Sequence, residues 1–232
     1  MPGLRDFRLF ILAAISLNIL MSSPGLASTC FGTPKSGSIE GSVPLPSDGP
    51  NFKAYSSLGV LLRRNYVHEK VHDTVVAAYA LLAKRLPGQS FVYGETGWPK
   101  GGDFYPHKTH QNGLSVDFMV PLRSQAGTAV EFPASVTNKW GYGLEFDTKG
   151  RLGELSIDFD AVALHLQALD EAAQKTGIRI RHVIFEPSYQ GMLRAAPAWK
   201  SLSFPLYPNK VWIRHDEHYH VEFQIPCEPK KP

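Results

Sequence analysis

Four stretches of the chain carry a clear period. Over residues 65–86, Val71, Val75, Ala78 and Leu82 recur on one face of a helical repeat. Asn65 is placed to cap that helix and Pro87-Gly88 to stop it. A second helix is expected over residues 160–175, where Val162, Leu166, Leu169 and Ala173 form one stripe and Gly177 supplies the stop. Leu114, Val116, Phe118 and Val120 alternate with Ser115, Asp117 and Met119, the pattern of a half-buried strand with Asp117 turned away from the apolar side. Tyr219, Val221, Phe223 and Ile225 alternate in the same way with His218, His220, Glu222 and Gln224, which sets both histidines on one face of a last strand.

Weaker signals fill the gaps. Residues 90–93 and 178–185 read as short strands, and residues 140–155 as a hairpin turning at Asp147-Thr-Lys-Gly150. Residues 94–112 hold Gly97, Pro99, Gly101, Gly102 and Pro106 and read as a loop. Residues 28–55 are crowded with Gly, Pro and Ser without a period, which predicts an extended arm laid over the domain surface. The expected fold is α+β, a mainly antiparallel sheet with flanking helices, in a single domain over residues 56–232.

At 232 residues and 43% hydrophobic, the chain has apolar material for one core. Arg5 and Arg8 precede an apolar run over residues 9–20, followed by Gly25-Leu26-Ala27, a small-x-small cleavage pattern. Residues 1–27 therefore read as an export signal, too short to favour a membrane span. Export puts the mature chain in an oxidising space, where Cys30 and Cys227 are expected to pair. The formal charge of +3 falls to +2 once Arg5, Asp6 and Arg8 leave, and no lysine/arginine block stands out, so nothing reads as a nucleic-acid surface.

The chemistry concentrates in two motifs, His107-x-x-His110-Gln-x-Gly-Leu-x-Val-Asp117 and His215-Asp-Glu-His218-Tyr-His220. If the strands bearing Asp117 and His220 are neighbours, both present polar groups on one sheet face, and His110 can curl over it from the loop. Two imidazoles, one carboxylate and an open fourth position describe a catalytic zinc site, with Zn²⁺ ligands His110, Asp117 and His220. His218, one strand repeat from His220, is the expected general base or oxyanion stabiliser. His107 and His215 flank the region as groups that line the substrate or orient the ligands. Trp98, Tyr105, Trp140 and Tyr142 fall in loops or at their edges, where a sugar- or peptide-binding groove would use them. His165 and His182 carry no such context and read as ordinary structural histidines.

Rivals exist. His68-Glu69-Lys70-Val71-His72 is a literal HExxH, the pattern by which zincin proteases put two ligands on one helical face. Against it, only a proline- and glycine-rich arm precedes the motif and no third ligand follows in an extended pattern. A two-histidine, one-carboxylate iron site is disfavoured because seven positions separate His110 from Asp117. A zinc domain that binds peptide or glycan without cutting it would differ chiefly at His218.

The residues quoted resemble those of the penicillin-insensitive murein endopeptidases, within a wider zinc group that includes lysostaphin-type endopeptidases, D-alanyl-D-alanine carboxypeptidases and the hedgehog domain. The likeness runs from Pro44-Leu-Pro and Gly49-Pro-Asn51 through Gly101-Gly102 and both histidine motifs. It implies zinc on His110, Asp117 and His220, catalytic help from His218, and His107 and His215 lining the site. The implied reaction is hydrolysis of peptidoglycan peptide cross-links involving D-alanine and diaminopimelate, in the periplasm. Ser115 stands where similar sequences often carry an acidic residue.

Overall fold

The computed structural model describes residues 27–208 and 214–230. The expected export signal lies, apart from Ala27, outside the described residues. At the centre is a six-stranded sheet of β1 (Asp48–Gly49), β2 (Phe52–Ala54), β3 (Phe91–Tyr93), β4 (Ser115–Met119), β5 (Arg179–Ile184) and β6 (His218–Gln224). They lie in the order β5-β6-β4-β3-β2-β1, every neighbouring pair antiparallel except β2 and β3. Two long helices, α1 (Glu69–Arg85) and α2 (Phe159–Thr176), pack on one another. The fold is α+β with mainly antiparallel sheets.

Helix α2 starts where the Asp158 side chain accepts the Ala161 N–H and ends where Gly177 takes the left-handed conformation, at φ 74°, that a residue with a Cβ adopts only at a cost. Its buried stripe of Val162, Leu166, Leu169 and Ala173 packs on the sheet face made by Phe118, Tyr219 and their apolar neighbours. There His165 sits in the core, edge-on to Phe118 and bonded through Nδ1 to the Tyr219 hydroxyl at 2.5 Å. Burial holds this imidazole down to about 3. The opposite face carries Ser115, Asp117, His218, His220 and Glu222. Strand β4 is buried on both faces rather than half-buried, because the loop 94–112 and the segment around Tyr142 cover its polar side.

The weaker expectations fared unevenly. Residues 28–55 are not a featureless arm. They form a hairpin of strands Thr29–Thr33 and Ser36–Glu40, and they supply β1 and β2 to the central sheet. Helix α1 begins at Glu69, capped by His68, because Asn65 is engaged elsewhere: its buried side chain donates to the Leu45 carbonyl at 2.8 Å, and Tyr66–Val67 pairs with Val43–Pro44 as a strand. The turn at Asp147–Gly150 is present, but the hairpin pairs Arg151 with Ser156 and Leu152 with Leu155, one turn later than expected. Cys30 and Cys227 form the expected disulfide.

Candidate metal centre

The register of β4 and β6 builds the centre. Asp117 lies directly opposite His220, and His218 opposite Met119 two residues along, so all three functional side chains leave one sheet face. Asp117 is fully buried, and each carboxylate oxygen has its own surroundings. Its Oδ1 lies 2.9 Å from His220 Nδ1 and 3.3 Å from His110 Nε2. Its Oδ2 accepts the Tyr142 hydroxyl at 2.9 Å and faces His107 Nδ1 at 3.7 Å and His218 Nε2 at 3.8 Å.

His110 arrives from the loop in the left-handed conformation, φ 71°, unusual for a residue with a Cβ and costing about 1–2 kcal/mol. Its Nδ1 meets the Thr96 carbonyl at 2.9 Å, and since a carbonyl only accepts, Nδ1 carries the proton and Nε2 the lone pair. That Nε2 is buried without a hydrogen-bond partner, as are Nε2 of His218 and Nε2 of His220. His220 turns its Nδ1, not its orphaned Nε2, toward Asp117, so the orphaned nitrogens beside the carboxylate are Nε2 of His110 and Nε2 of His218. Such a pair is costly in a protein alone and suits a cation's ligand field. The donor set is also of the right size: neighbouring donors on tetrahedral zinc lie about 3.3 Å apart, close to the two separations at Asp117 Oδ1.

The metal-sized grouping differs from the expected one in two respects: it takes in His107 and leaves out His220, which meets Asp117 only through the Nδ1 contact above. His107, His110 and Asp117 offer donor atoms all within 4.8 Å of one another, so His107, expected to flank the ligands, lies close enough to be one. Its Nε2, however, is 2.7 Å from Glu95 Oε2, and its Nδ1 faces the other oxygen of Asp117 from the one that His110 and His220 share. His215 packs on the His218 ring, centroids 4.5 Å apart.

Electrostatics follow the geometry. Burial opposes ionisation of Asp117, but His110, His218 and His220 outweigh it and hold the carboxyl well below its usual range. Burial likewise opposes the charged form of His218, yet Asp117 and Glu217 push it up to about 9. His218 Nδ1 lies 3.0 Å from Glu217 Oε1, which fixes the ring and leaves Nε2 aimed at the centre. His220 is pulled down to about 4, chiefly by burial. Glu95 is drawn down to about 2: burial opposes this, but hydrogen bonds and charge from His107 and Arg64 prevail.

Glu95, Arg64, Glu217 and the specific task of Tyr142 were not foreseen. Glu95 binds the Arg64 guanidinium through both oxygens and accepts the Tyr55 hydroxyl at 2.7 Å. Those partners are scattered along the chain, so no spacing reveals them. Glu217 stands beside His218 within the motif, and that adjacency was the available signal. The HExxH motif, by contrast, does not assemble. His68 Nδ1 accepts the Lys70 N–H as the cap of α1, while His72 bonds Asp73 on the surface. Neither joins a metal-sized group among the described residues.

The centre opens into a cleft of about 500 Å³. His107, His218 and His220 lie in its wall, with Leu58, Leu62 and Tyr105 on one lip and Trp140 also lining it. Three of the large apolar side chains most exposed among the described residues, Leu58, Leu62 and Tyr105, are at that lip. Trp98 instead holds the Arg64 guanidinium over its ring, 4.7 Å from the centroid. No described helix is long and apolar enough to cross a membrane.

A search of curated proteins finds no match. The sequence profile of one family does match, over residues 30–231, which takes in the disulfide, both histidine motifs and the whole central sheet. On that match the chain belongs to the penicillin-insensitive murein endopeptidase family.

Proposed function

We propose that the protein is an exported, zinc-dependent endopeptidase that hydrolyses D-alanine–diaminopimelate cross-links of peptidoglycan in the periplasm. Family membership supports the murein endopeptidase activity. The observation that carries the metal dependence is the pair of orphaned, buried imidazole nitrogens at Asp117, Nε2 of His110 and Nε2 of His218. We assign the ion to His110 Nε2, Asp117 Oδ1 and His220 Nδ1, the two ring nitrogens lying 3.3 and 2.9 Å from that one carboxylate oxygen. His107 is left to line the site, because Glu95 already engages its ring. A bound zinc ion would supply Lewis acidity and a water whose pKa is lowered toward about 7.

The protein's own side chains supply the rest. His218, oriented by Glu217, holds its Nε2 at the mouth of the centre. With the carboxylate charge that holds this ring protonated offset by a cation bound at Asp117, the neutral Nε2 would take the proton of the attacking water and return it to the leaving amine. Its charged form also serves to hold the oxyanion of a tetrahedral intermediate. The apolar lip and Trp140 give the polymer beside the scissile bond a surface on which its methyl groups and sugar faces lose water.

Digestion of purified sacculi, with and without chelator, followed by mass analysis of the released muropeptides, tests the reading. Chelator-sensitive conversion of cross-linked dimers to monomers is expected. Uncut sacculi in the presence of zinc reject the enzyme in favour of a binding domain. Release of other bonds rejects the substrate assignment.

A further inference from the structure

The segment carrying Tyr142 is built at a cost that ordinary packing does not require. Lys139 and Trp140, both with side chains, sit consecutively in the left-handed region at φ 54° and 55°. Each such residue costs about 1–2 kcal/mol, and observed strain of this kind points to a task. The Asn138 side chain holds the kink, accepting the Ser135 and Gly141 N–H groups at 2.9 and 2.8 Å and donating to the Pro133 carbonyl at 2.7 Å. The result delivers the Tyr142 ring among His107, His218 and Tyr55, with centroids 5.7, 5.1 and 5.8 Å away.

The hydroxyl then fits a two-sided socket. It accepts the Glu95 N–H at 2.8 Å and donates to Asp117 Oδ2 at 2.9 Å. The same loop is stitched to the backbone of Asp117, with Gly94 N–H on the Asp117 carbonyl at 2.7 Å and Asp117 N–H on the Glu95 carbonyl at 3.0 Å. Gly94 is required by this closeness, since a Cβ there would collide with the Tyr142 hydroxyl. A phenol has one proton to give. With the amide of Glu95 filling the acceptor side, that proton is committed to Asp117 Oδ2.

We infer that Tyr142 is a positioning residue that engages one oxygen of Asp117 and so presents the other, Oδ1, as a single-point metal ligand. The inference rests on the metal assignment made above. Without the hydroxyl, the carboxylate is free to rotate or to offer both oxygens, and the donor set loses its preset size. Partners of this kind behind a ligand are typically worth roughly 10–100-fold in metal affinity.

The test is zinc affinity by competition with a chromophoric chelator, alongside thermal melting of the metal-free chain. Wild type is expected to hold one zinc. Tyr142→Phe should bind it roughly 10–100-fold more weakly. Introducing p-aminophenylalanine at Tyr142 restores the donor to Asp117 Oδ2 but only a poor acceptor for the Glu95 N–H, and should recover part of the lost affinity, which a purely structural role for the ring does not require. Equal affinity in wild type and Tyr142→Phe, or a p-amino variant as weak as the phenylalanine one, overturns the inference. Should Tyr142→Phe fail to melt cooperatively, Asn138→Ala replaces it: releasing the kink that delivers the ring withdraws the hydroxyl without touching Asp117, the same loss is expected, and unchanged affinity overturns the idea. A wild-type chain that binds no zinc instead overturns the metal assignment on which the inference stands.

Discussion

His165 gives a stability prediction that can be worked through in numbers. The ring is fully buried, and burial holds it down to about 3, whereas an unfolded chain titrates near about 6.5. Above about 6.5 both states are neutral and the group contributes no pH dependence. As the pH falls below that value, the unfolded chain takes up a proton that the native core refuses, so stability drops by about 1.4 kcal/mol per pH unit until the folded value is reached. Between pH 7 and pH 5 the loss integrates to about 2 kcal/mol, or roughly 4–8 °C in melting temperature for a domain of this size. His165→Gln does not titrate and can still bond the Tyr219 hydroxyl, though it forfeits ring contacts and starts less stable. Chemical denaturation of both proteins at pH 7 and pH 5 checks the argument. Wild type should lose about 2 kcal/mol more than the variant over that interval. Parallel losses would refute the claim that a neutral histidine is locked in the core.

Three further outcomes follow from named contacts. His218→Ala should keep zinc while lowering turnover by about 10² or more, and Glu217→Gln should fall between it and wild type, as measured by muropeptide release from sacculi with metal content determined in parallel. The His68→Ala/His72→Ala double variant should retain its metal and lose about 1 kcal/mol of stability, the worth of a helix cap, in a urea titration. Replacing Cys30 and Cys227 by alanine opens a loop spanning 197 positions and should cost up to about 5 kcal/mol on loop-entropy grounds, read from the shift in denaturation midpoint.

What could be read from the sequence divides along physical lines. Strands β4 and β6 were legible because each separates an apolar face from a polar one, and a two-residue period survives whatever packs on top. That pattern, with the motif spacing, was enough to bring Asp117 and His220 to the same face, and the register places them opposite one another. Helix α2 was legible because Gly177 and the apolar stripe are local signals. The strands within residues 28–55 were not: Val43–Pro44, β1 and β2 are too short to show a period, and the five-residue strands Thr29–Thr33 and Ser36–Glu40 are broken by Gly32 and Gly37 and carry too few apolar residues to alternate. Asn65 misled for a tertiary reason: a good capping residue was taken up by the Leu45 carbonyl, twenty positions away. At the site, the histidines announced themselves, whereas Glu95 and Tyr142 act through tertiary contacts that no motif encodes. How His107 is shared between Glu95 and Asp117 is likewise a matter of geometry, which spacing leaves open.

The central claim is that His110, Asp117 and His220 together hold one zinc ion on which hydrolysis depends. The most direct measurement is metal content per chain, by elemental analysis after dialysis against a weak chelator, for wild type and for His110→Ala, Asp117→Ala and His220→Ala. One zinc per chain in the wild type, and its loss together with sacculus-cleaving activity in each variant, is the predicted result. Full zinc occupancy in all three variants, or zinc lost from the His68→Ala/His72→Ala double variant in their place, would contradict the account.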